Sequence, residues 1–407
     1  MTPQKSNIPA LRFPEFKGEW ILENLGSHFT FKNGVNADSE AYGRGHKFIN
    51  VLDIISDIPL IQDRIIGSVD ISDETFKKNE VTYGDILFQR SSETREEVGQ
   101  SNIYVDTKNN ATFGGFVIRG RPITEQIPEY FHYLLKTSKV RKDITSRSGG
   151  STRYNIGQES LSDVSVDIAP TVLEQKKIAD FLTAVDQKIT QLTEKKSCLE
   201  RYKKGVMQRL FTQRLRFHDT NGKPFPNWEI KKANDVFENY SNKDHDGTLP
   251  IVAVTQENGV VRRDGIGIDI KSSAESILSY KIIEVGDFVI SLRSFQGGIE
   301  YSNIRGICSP AYTILRPKIK ISDDFFKFYF KREDFISRLS ETVIGIRDGK
   351  QISYSAFSGM KLSFPNVQEQ QKIADFLTAI DDKITALGNQ LTAAQDFKKS
   401  LLQKMFV

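Results

Sequence analysis

The sequence predicts a mixed α+β fold of two like halves, each a globular domain followed by one long helix, and three observations predict it. First, a 17-residue phrase occurs twice, EQKKIADFLTAVDQKIT at 174–190 and EQQKIADFLTAIDDKIT at 369–385, identical at 14 positions and offset by 195 residues. A repeat fixes the architecture, and this period is far longer than the roughly 20–50 residues of a solenoid unit. Second, each phrase opens a long stretch with apolar residues at helical spacing. Third, the intervening segments carry mixed strand and helix signals with matching anchors. The division that follows is a domain over 1–173, a helix over 174–214, a domain over 215–368 and a helix over 369–407. The two helices are expected to pack as an antiparallel coiled coil, giving a pseudo-twofold internal repeat.

Each half opens alike, LRFPEFKGEW at 11–20 and LRFHDTNGKPFPNW at 215–228. A strand introduced by Gly-Asp follows, VTYGDILFQRSS at 81–92 and IIEVGDFVISLRSF at 282–295. Gly-Asp ahead of alternating apolar residues signals a hairpin or strand start. An aromatic helix comes next, EYFHYLL at 129–135 and DFFKFYF at 324–330, and a Gly-containing loop leads to a last strand ending at Pro170 or Pro365. Beyond those prolines Thr171 and Glu174 stand three apart, as do Asn366 and Glu369, the capping-box arrangement that opens a helix. The first seam runs Ile178, Leu182, Val185, Ile189, Leu192, Leu199, Val206 and Leu210. The second runs Ile373, Leu377, Ile380, Ile384, Leu387, Leu391, Ala394, Leu401 and Met405. Threes and fours sustained for about five heptads make a coiled-coil pattern, imperfect where Lys196 and Lys203 fall on the seam. About 38 residues of helix span roughly 57 Å at 1.5 Å per residue, too long to be wrapped inside one domain.

Composition excludes several classes. Hydrophobic residues at 38%, charged residues at 27% and a mean hydropathy of −0.39 describe a soluble globular chain. No stretch nears the roughly 20 apolar residues of a membrane span, and the first residues lack the apolar core of a signal peptide. Cys198 and Cys308 form no disulfide framework; they are expected as buried reduced thiols, which points to the cytoplasm. Residues 1–173 carry 20 Lys+Arg against 23 Asp+Glu, whereas 174–216 carry 11 against 5. Near-neutral domains exclude a global basic footprint, so any nucleic acid must be held by local patches. Phosphate-binding and dinucleotide-binding glycine motifs are missing. The histidines (His28, His46, His132, His218, His245) show no ligand spacing and are expected at the surface or hydrogen-bonded, and the carboxylates are expected in ordinary solvated positions. The Asn/Asp-Pro-Pro-Tyr motif of an amino-methyltransferase is also missing. No catalytic residue and no metal site is expected.

Two unlike domains, each followed by a helix opening with E-Q-x-K-I-A-x-F-L, resemble the specificity subunit of type I restriction-modification enzymes. The entry phrases RFPEFKGEW and NGKPFPNW fit that family, as do the Gly-Asp strands and the loop SGGSTRYNI at 148–156. The second copy of that loop, IGIRDGKQIS at 344–353, departs from it in lacking Gly-Ser-Thr. The resemblance covers the whole chain. It implies that both domains are target recognition domains, each reading one half of a bipartite double-stranded DNA sequence. It implies that the coiled coil sets the unread spacer and docks two methyltransferase (modification) subunits, which restriction subunits then join. It implies no cofactor on this chain, with S-adenosylmethionine, ATP and Mg on partner subunits that carry the DNA methylation and ATP-dependent endonuclease activities, and no membrane.

Bases are read, and phosphates gripped, by polar side chains on loops. In the first domain the candidates are Gln89, Arg90, Ser91, Ser92 and Arg95 after the Gly-Asp strand, and Arg147, Ser151, Thr152, Arg153 and Asn155 in the Gly-rich loop. Lys136, Lys139, Arg141 and Lys142 crowd one helix, where phosphate contact is expected. The matched positions of the second domain are Arg293, Ser294 and Gln296, then Arg347, Lys350 and Gln351, with Lys331 and Arg332 on the helix. Arg pairs bidentately with guanine, and Asn or Gln with adenine. Two other readings are open. A single-chain nuclease or methyltransferase would need several hundred more residues; a coiled-coil adaptor without DNA specificity would account for the helices but not for two unlike domains.

Overall fold

The computed structural model describes residues 7–342 and 352–407, apart from 57, 257, 266–273 and 293. The doubled phrase begins two long helices, Val172–Phe211 of 40 residues and Val367–Lys404 of 38. Their caps are those read from the sequence. The Thr171 hydroxyl accepts from the Glu174 N–H at 3.2 Å, and the Asn366 carbonyl oxygen accepts from the Glu369 N–H at 2.8 Å.

The second half of the expected capping box is not used. Glu174 turns away from its own cap and accepts from the Arg12 guanidinium at 2.7 and 2.9 Å and from the Trp20 indole at 3.3 Å. Glu369 does the same with Arg216, at 3.1 and 2.9 Å, and with Trp228 at 3.0 Å. The next letter works as well: Gln175 donates to the Ala169 carbonyl at 3.1 Å and Gln370 to the Pro365 carbonyl at 2.8 Å. Phe13 on Phe181 and Phe217 on Phe376 add edge-to-face pairs at 6.0 and 5.5 Å. The phrase is doubled because its Glu, Gln and Phe seat each helix on the same kind of socket.

The chain divides into two compact units that cut across the boundaries drawn from sequence, Met1–Glu194 with Asn389–Val407, and Lys195–Gly388. Each long helix therefore serves both units. In the first, Ile178, Ala179 and Leu182 share one core with Leu401, Met405 and Phe406, and Asp186 pairs with Lys398 at 2.6 Å. In the second, Val206, Leu210 and Phe211 share a core with Ile373, Ala374 and Leu377, and Lys203 pairs with Asp381 at 2.6 Å. Sequence order rises along one helix as it falls along the other, so inside each unit the helical segments run antiparallel. Lys203, an apparent defect of the seam, is one member of an interhelical ion pair.

Both units hang a four-stranded antiparallel sheet beside these helices. Its order is Phe29–Asn33, Val117–Pro122, Ile86–Gln89, Ser101–Ile103 in the first unit, and Phe237–Tyr240, Thr313–Pro317, Phe288–Ile290, Glu300–Tyr301 in the second. The first strand of each domain pairs with its last, Ile21–Asn24 with Ser165–Ile168 and Glu229–Lys232 with Lys361–Phe364. The Gly-Asp signal is explained here. Asp85 takes both ends of the Arg121 guanidinium, at 2.9 and 2.7 Å, and Asp287 takes Arg316 at 2.8 and 2.7 Å. Each also caps its turn, accepting from the N–H of Thr82 or Glu284.

Three expectations are corrected. Carboxylates are not uniformly solvated: Asp85, Asp167, Glu174, Asp287, Glu300 and Glu369 are buried, each with a cationic partner that offsets desolvation. Cys308 is buried but Cys198, on the outer face of the first long helix, is exposed. His132 is neither at the surface nor hydrogen-bonded; it is 2% exposed and both ring nitrogens lack a partner. Among the described residues no helix is long and apolar enough to cross a membrane, and no His, Cys, Asp and Glu cluster could hold a metal ion.

Candidate nucleic-acid interface

In the first unit the two loop segments singled out in sequence meet in space. Ser91–Ser92 pairs antiparallel with Tyr154–Asn155, in register Tyr154 to Ser92 and Asn155 to Ser91. The Ser91 hydroxyl donates to the Asn155 side chain, and the Ile156 N–H donates to the Arg90 carbonyl at 3.0 Å. The loop after the Gly-Asp strand and the Gly-rich loop are thus one braced surface, reached by a chain that folds back after some sixty residues. Gly150 makes the tight return possible. Its φ is +124°, and a Cβ there would lie 2.0 Å from the Arg153 carbonyl oxygen.

The predicted residues divide by what they already touch. Ser151, Thr152, Arg153 and Lys142 are exposed, as is Asn155 at the edge of the two-stranded ladder. Arg95 is exposed and donates to the Thr145 carbonyl at 3.2 Å. Arg147 pairs with Asp143 at 2.9 Å. Gln89 is 6% exposed at the end of its strand, donating to the Ser91 carbonyl while its own oxygen finds no partner. The Arg90 guanidinium donates to the Gly115 carbonyl at 3.3 Å, and Ser92 donates to Glu97 at 3.0 Å.

The basic helix is not one helix. The aromatic segment ends at Leu134, a turn carries Lys136, and a second helix begins at Ser138. Lys139 pairs with the buried Asp167, and Arg141 is turned inward onto three loop carbonyls. Of the four cations, Lys142 alone is an exposed side chain with no partner among the described residues.

In the second unit Arg293, Arg347, Lys350 and Gln351 lie outside the described residues. Ser294 is buried at the start of a single helical turn, where its hydroxyl accepts from the Ser291 N–H at 2.8 Å, and Gln296 is exposed. Lys331 is drawn inward, donating to the Gly297 carbonyl at 2.9 Å and to Glu300. Burial raises the Glu300 pKa and Lys331 opposes that shift. Arg332 pairs with Asp334 and lies over the rings of Phe211 and Tyr329, at 4.9 and 4.7 Å. Sequence reasoning missed the inward-facing cations because helical spacing locates a Lys or Arg without saying whether a loop carbonyl awaits it. A usable signal existed for Arg121 and Arg316, which follow the two Gly-Asp turns in both halves.

A family model described as the type I restriction modification DNA specificity domain matches this chain twice, over residues 47–201 and 226–394. The chain belongs to the type I restriction-modification DNA specificity family. Among relatives, the sequence named as the MjaX type I restriction enzyme specificity subunit of Methanocaldococcus jannaschii is 24% identical over 416 residues, covering 98% of this chain and 95% of its own length. The MjaVIII specificity subunit of the same organism is 24% identical over 295 residues, covering 66% of this chain and 68% of its own. The solved S subunit of a type I restriction-modification system from M. genitalium shares the fold, with a TM-score of 0.59 at 16% identity, covering 98% of this chain and 99% of that one. A chain from a structural study of complex assembly and conformational transition in the type I system gives a TM-score of 0.54 at 14% identity, with coverages of 96% and 98%. Both family matches span a Gly-Asp strand, an aromatic helix and much of a long helix.

Proposed function

We propose that this chain is the non-catalytic DNA specificity subunit of a type I restriction-modification complex. Its two domains each read one half of a bipartite double-stranded sequence. The long helices set the unread spacer and dock two methyltransferase subunits, which restriction subunits join. S-adenosylmethionine, ATP and Mg belong to those partners, and the assembly works in the cytoplasm. The observation that carries this reading is a repeated frame, with its helix phrase identical at 14 of 17 positions, that bears two unlike loop sequences. Such a design suits two readers addressing different bases from equivalent seats. Ser151, Thr152, Arg153, Asn155, Arg95 and Lys142 are the first unit's outward set, and Gln296 is its described counterpart in the second. Arg293, Arg347 and Lys350 remain candidates by sequence position.

The test is co-expression with a type I methyltransferase subunit from the same source, followed by sequencing of the methylated genome. One bipartite motif is expected. Exchanging residues 1–173 for the corresponding domain of a relative should then change one half-site and leave the other and the spacer intact. If both half-sites changed, the two-reader model would fall.

A further inference from the structure

The loop surface of the first unit is braced from beneath by one half-buried cation. The Arg141 guanidinium donates to the carbonyls of Gly99 at 2.6 Å, Val98 at 2.7 Å and Glu96 at 2.9 Å. Among the described residues no carboxylate pairs with it. Burial lowers its pKa to about 10, so it stays charged at neutral pH. A partly desolvated guanidinium needs partners for its inward donors, and three convergent carbonyls of one loop take three of its five. The rest of the helix Ser138–Ser146 follows the same loop. The Thr145 carbonyl accepts from Arg95, and a Cβ on Gly99, whose φ is +67°, would lie 2.4 Å from the Ile144 side chain. The hairpin closes on itself through the Gly99 N–H to the Gln89 carbonyl at 2.9 Å. A bidentate phosphate contact would need the terminal nitrogens free to face solvent; here three of the guanidinium's five donors, all on those nitrogens, are held by protein carbonyls.

We infer that Arg141 is a positioning residue for DNA specificity: it touches no DNA and holds loop 90–99 in one conformation against the Gly-rich loop. This rests on the reading of that loop as a DNA reader. A loop ordered before binding does not lose that freedom on binding. Freed of Arg141 it would still meet phosphates through its outward cations but would discriminate bases poorly.

The experiment uses the full chain in its methyltransferase complex, with duplexes carrying the methylated motif and duplexes with either half-site scrambled. Arg141→Lys keeps the charge but loses the planar fork that reaches three carbonyls; Arg141→Gln removes the charge. Both variants should lower discrimination at the first half-site about tenfold. Discrimination at the second should stay as in the wild type, which also reports that the variants fold. The Gly99 amide should exchange with solvent faster, and the salt slope of binding should not move. Two results would overturn the inference. One is an R141K complex with wild-type discrimination and Gly99 exchange. The other is an R141Q complex whose salt slope falls by about 0.9, the loss of one phosphate contact, with discrimination kept. A wild-type complex indifferent to scrambling either half-site would instead overturn the recognition reading itself.

Discussion

The loop that follows the Gly-Asp strand is held from below by a guanidinium in the first unit and by an ammonium in the second. Arg141 spreads over three carbonyls there, whereas Lys331 serves one carbonyl, that of Gly297, and the buried Glu300. By the repeat offset, the second unit has Ile336 where the first has Arg141, and the first has Lys136 where the second has Lys331. The sockets beneath the helices show the opposite behaviour: Arg, Trp and Glu recur with matching hydrogen bonds. The difference teaches where each unit can vary. A socket must accept one fixed phrase, so its chemistry is repeated. A loop support needs only to satisfy whatever backbone the loop presents, and a fork and a point charge are alternative solutions.

The strongest way to break that comparison is to remove a socket carboxylate. Glu174→Ala and Glu369→Ala each leave a half-buried guanidinium without its carboxylate and an indole N–H without its acceptor, which should cost about 1–3 kcal/mol. Calorimetry should show each substitution lowering the transition of its own unit, by similar amounts. Unequal losses would mean the two sockets are alike in outline only.

A smaller effect sharpens the contrast between the aromatic helices. His132 is buried with no hydrogen bond, and desolvation first, then Lys136 and Lys398, holds its pKa well below the ordinary 6.5. The unfolded chain therefore binds a proton below pH 6.5 that the folded chain refuses. Stability is complete above that pH and falls beneath it, by up to about 1.4 kcal/mol per pH unit from this group. His132→Leu should flatten the acid side of the first unit's stability curve without lowering stability at pH 8. Denaturant titrations at pH 5 and 8 check this; an unchanged acid slope in the variant would assign it to carboxylates instead. The second unit, with Lys327 at the equivalent place, should lack this component.

The smallest expected effect concerns the helices. Lys203→Ala and Lys398→Ala remove interhelical pairs that are partly exposed, so each should cost under about 1 kcal/mol. Reversing one pair, as Lys203→Asp with Asp381→Lys, should restore the loss measured in either single variant by urea titration.

Much of this fold was legible. The repeat, the caps, the seams and the Gly-Asp strands are local patterns, and periodicity reports local patterns well. Glu174 was read as part of a cap and proved to be the floor of a socket, because its partners Arg12 and Trp20 lie more than 150 residues away in sequence. The candidate site was legible as two loops but not as individual contacts. Ser91 and Asn155 were named separately, and only folding made them a pair. Arg141 and Lys331 were read as outward because cations usually are; loop carbonyls and a carboxylate from elsewhere in the chain turned them inward, whereas Lys139 stays exposed while pairing with Asp167.

The sharing of the helices has a consequence for synthesis. The second unit is one continuous stretch, Lys195–Gly388, and its core closes once that stretch has left the ribosome. The first unit is made earlier but needs Leu401, Met405 and Phe406 to complete its core, with Phe406 set edge-on against Trp20 at 5.9 Å. Domains usually mature in the order of their translation. Here the half made first waits for the last residues, so a chain broken off near residue 400 fails at its beginning, with the damage borne by the reader farthest from the break in sequence.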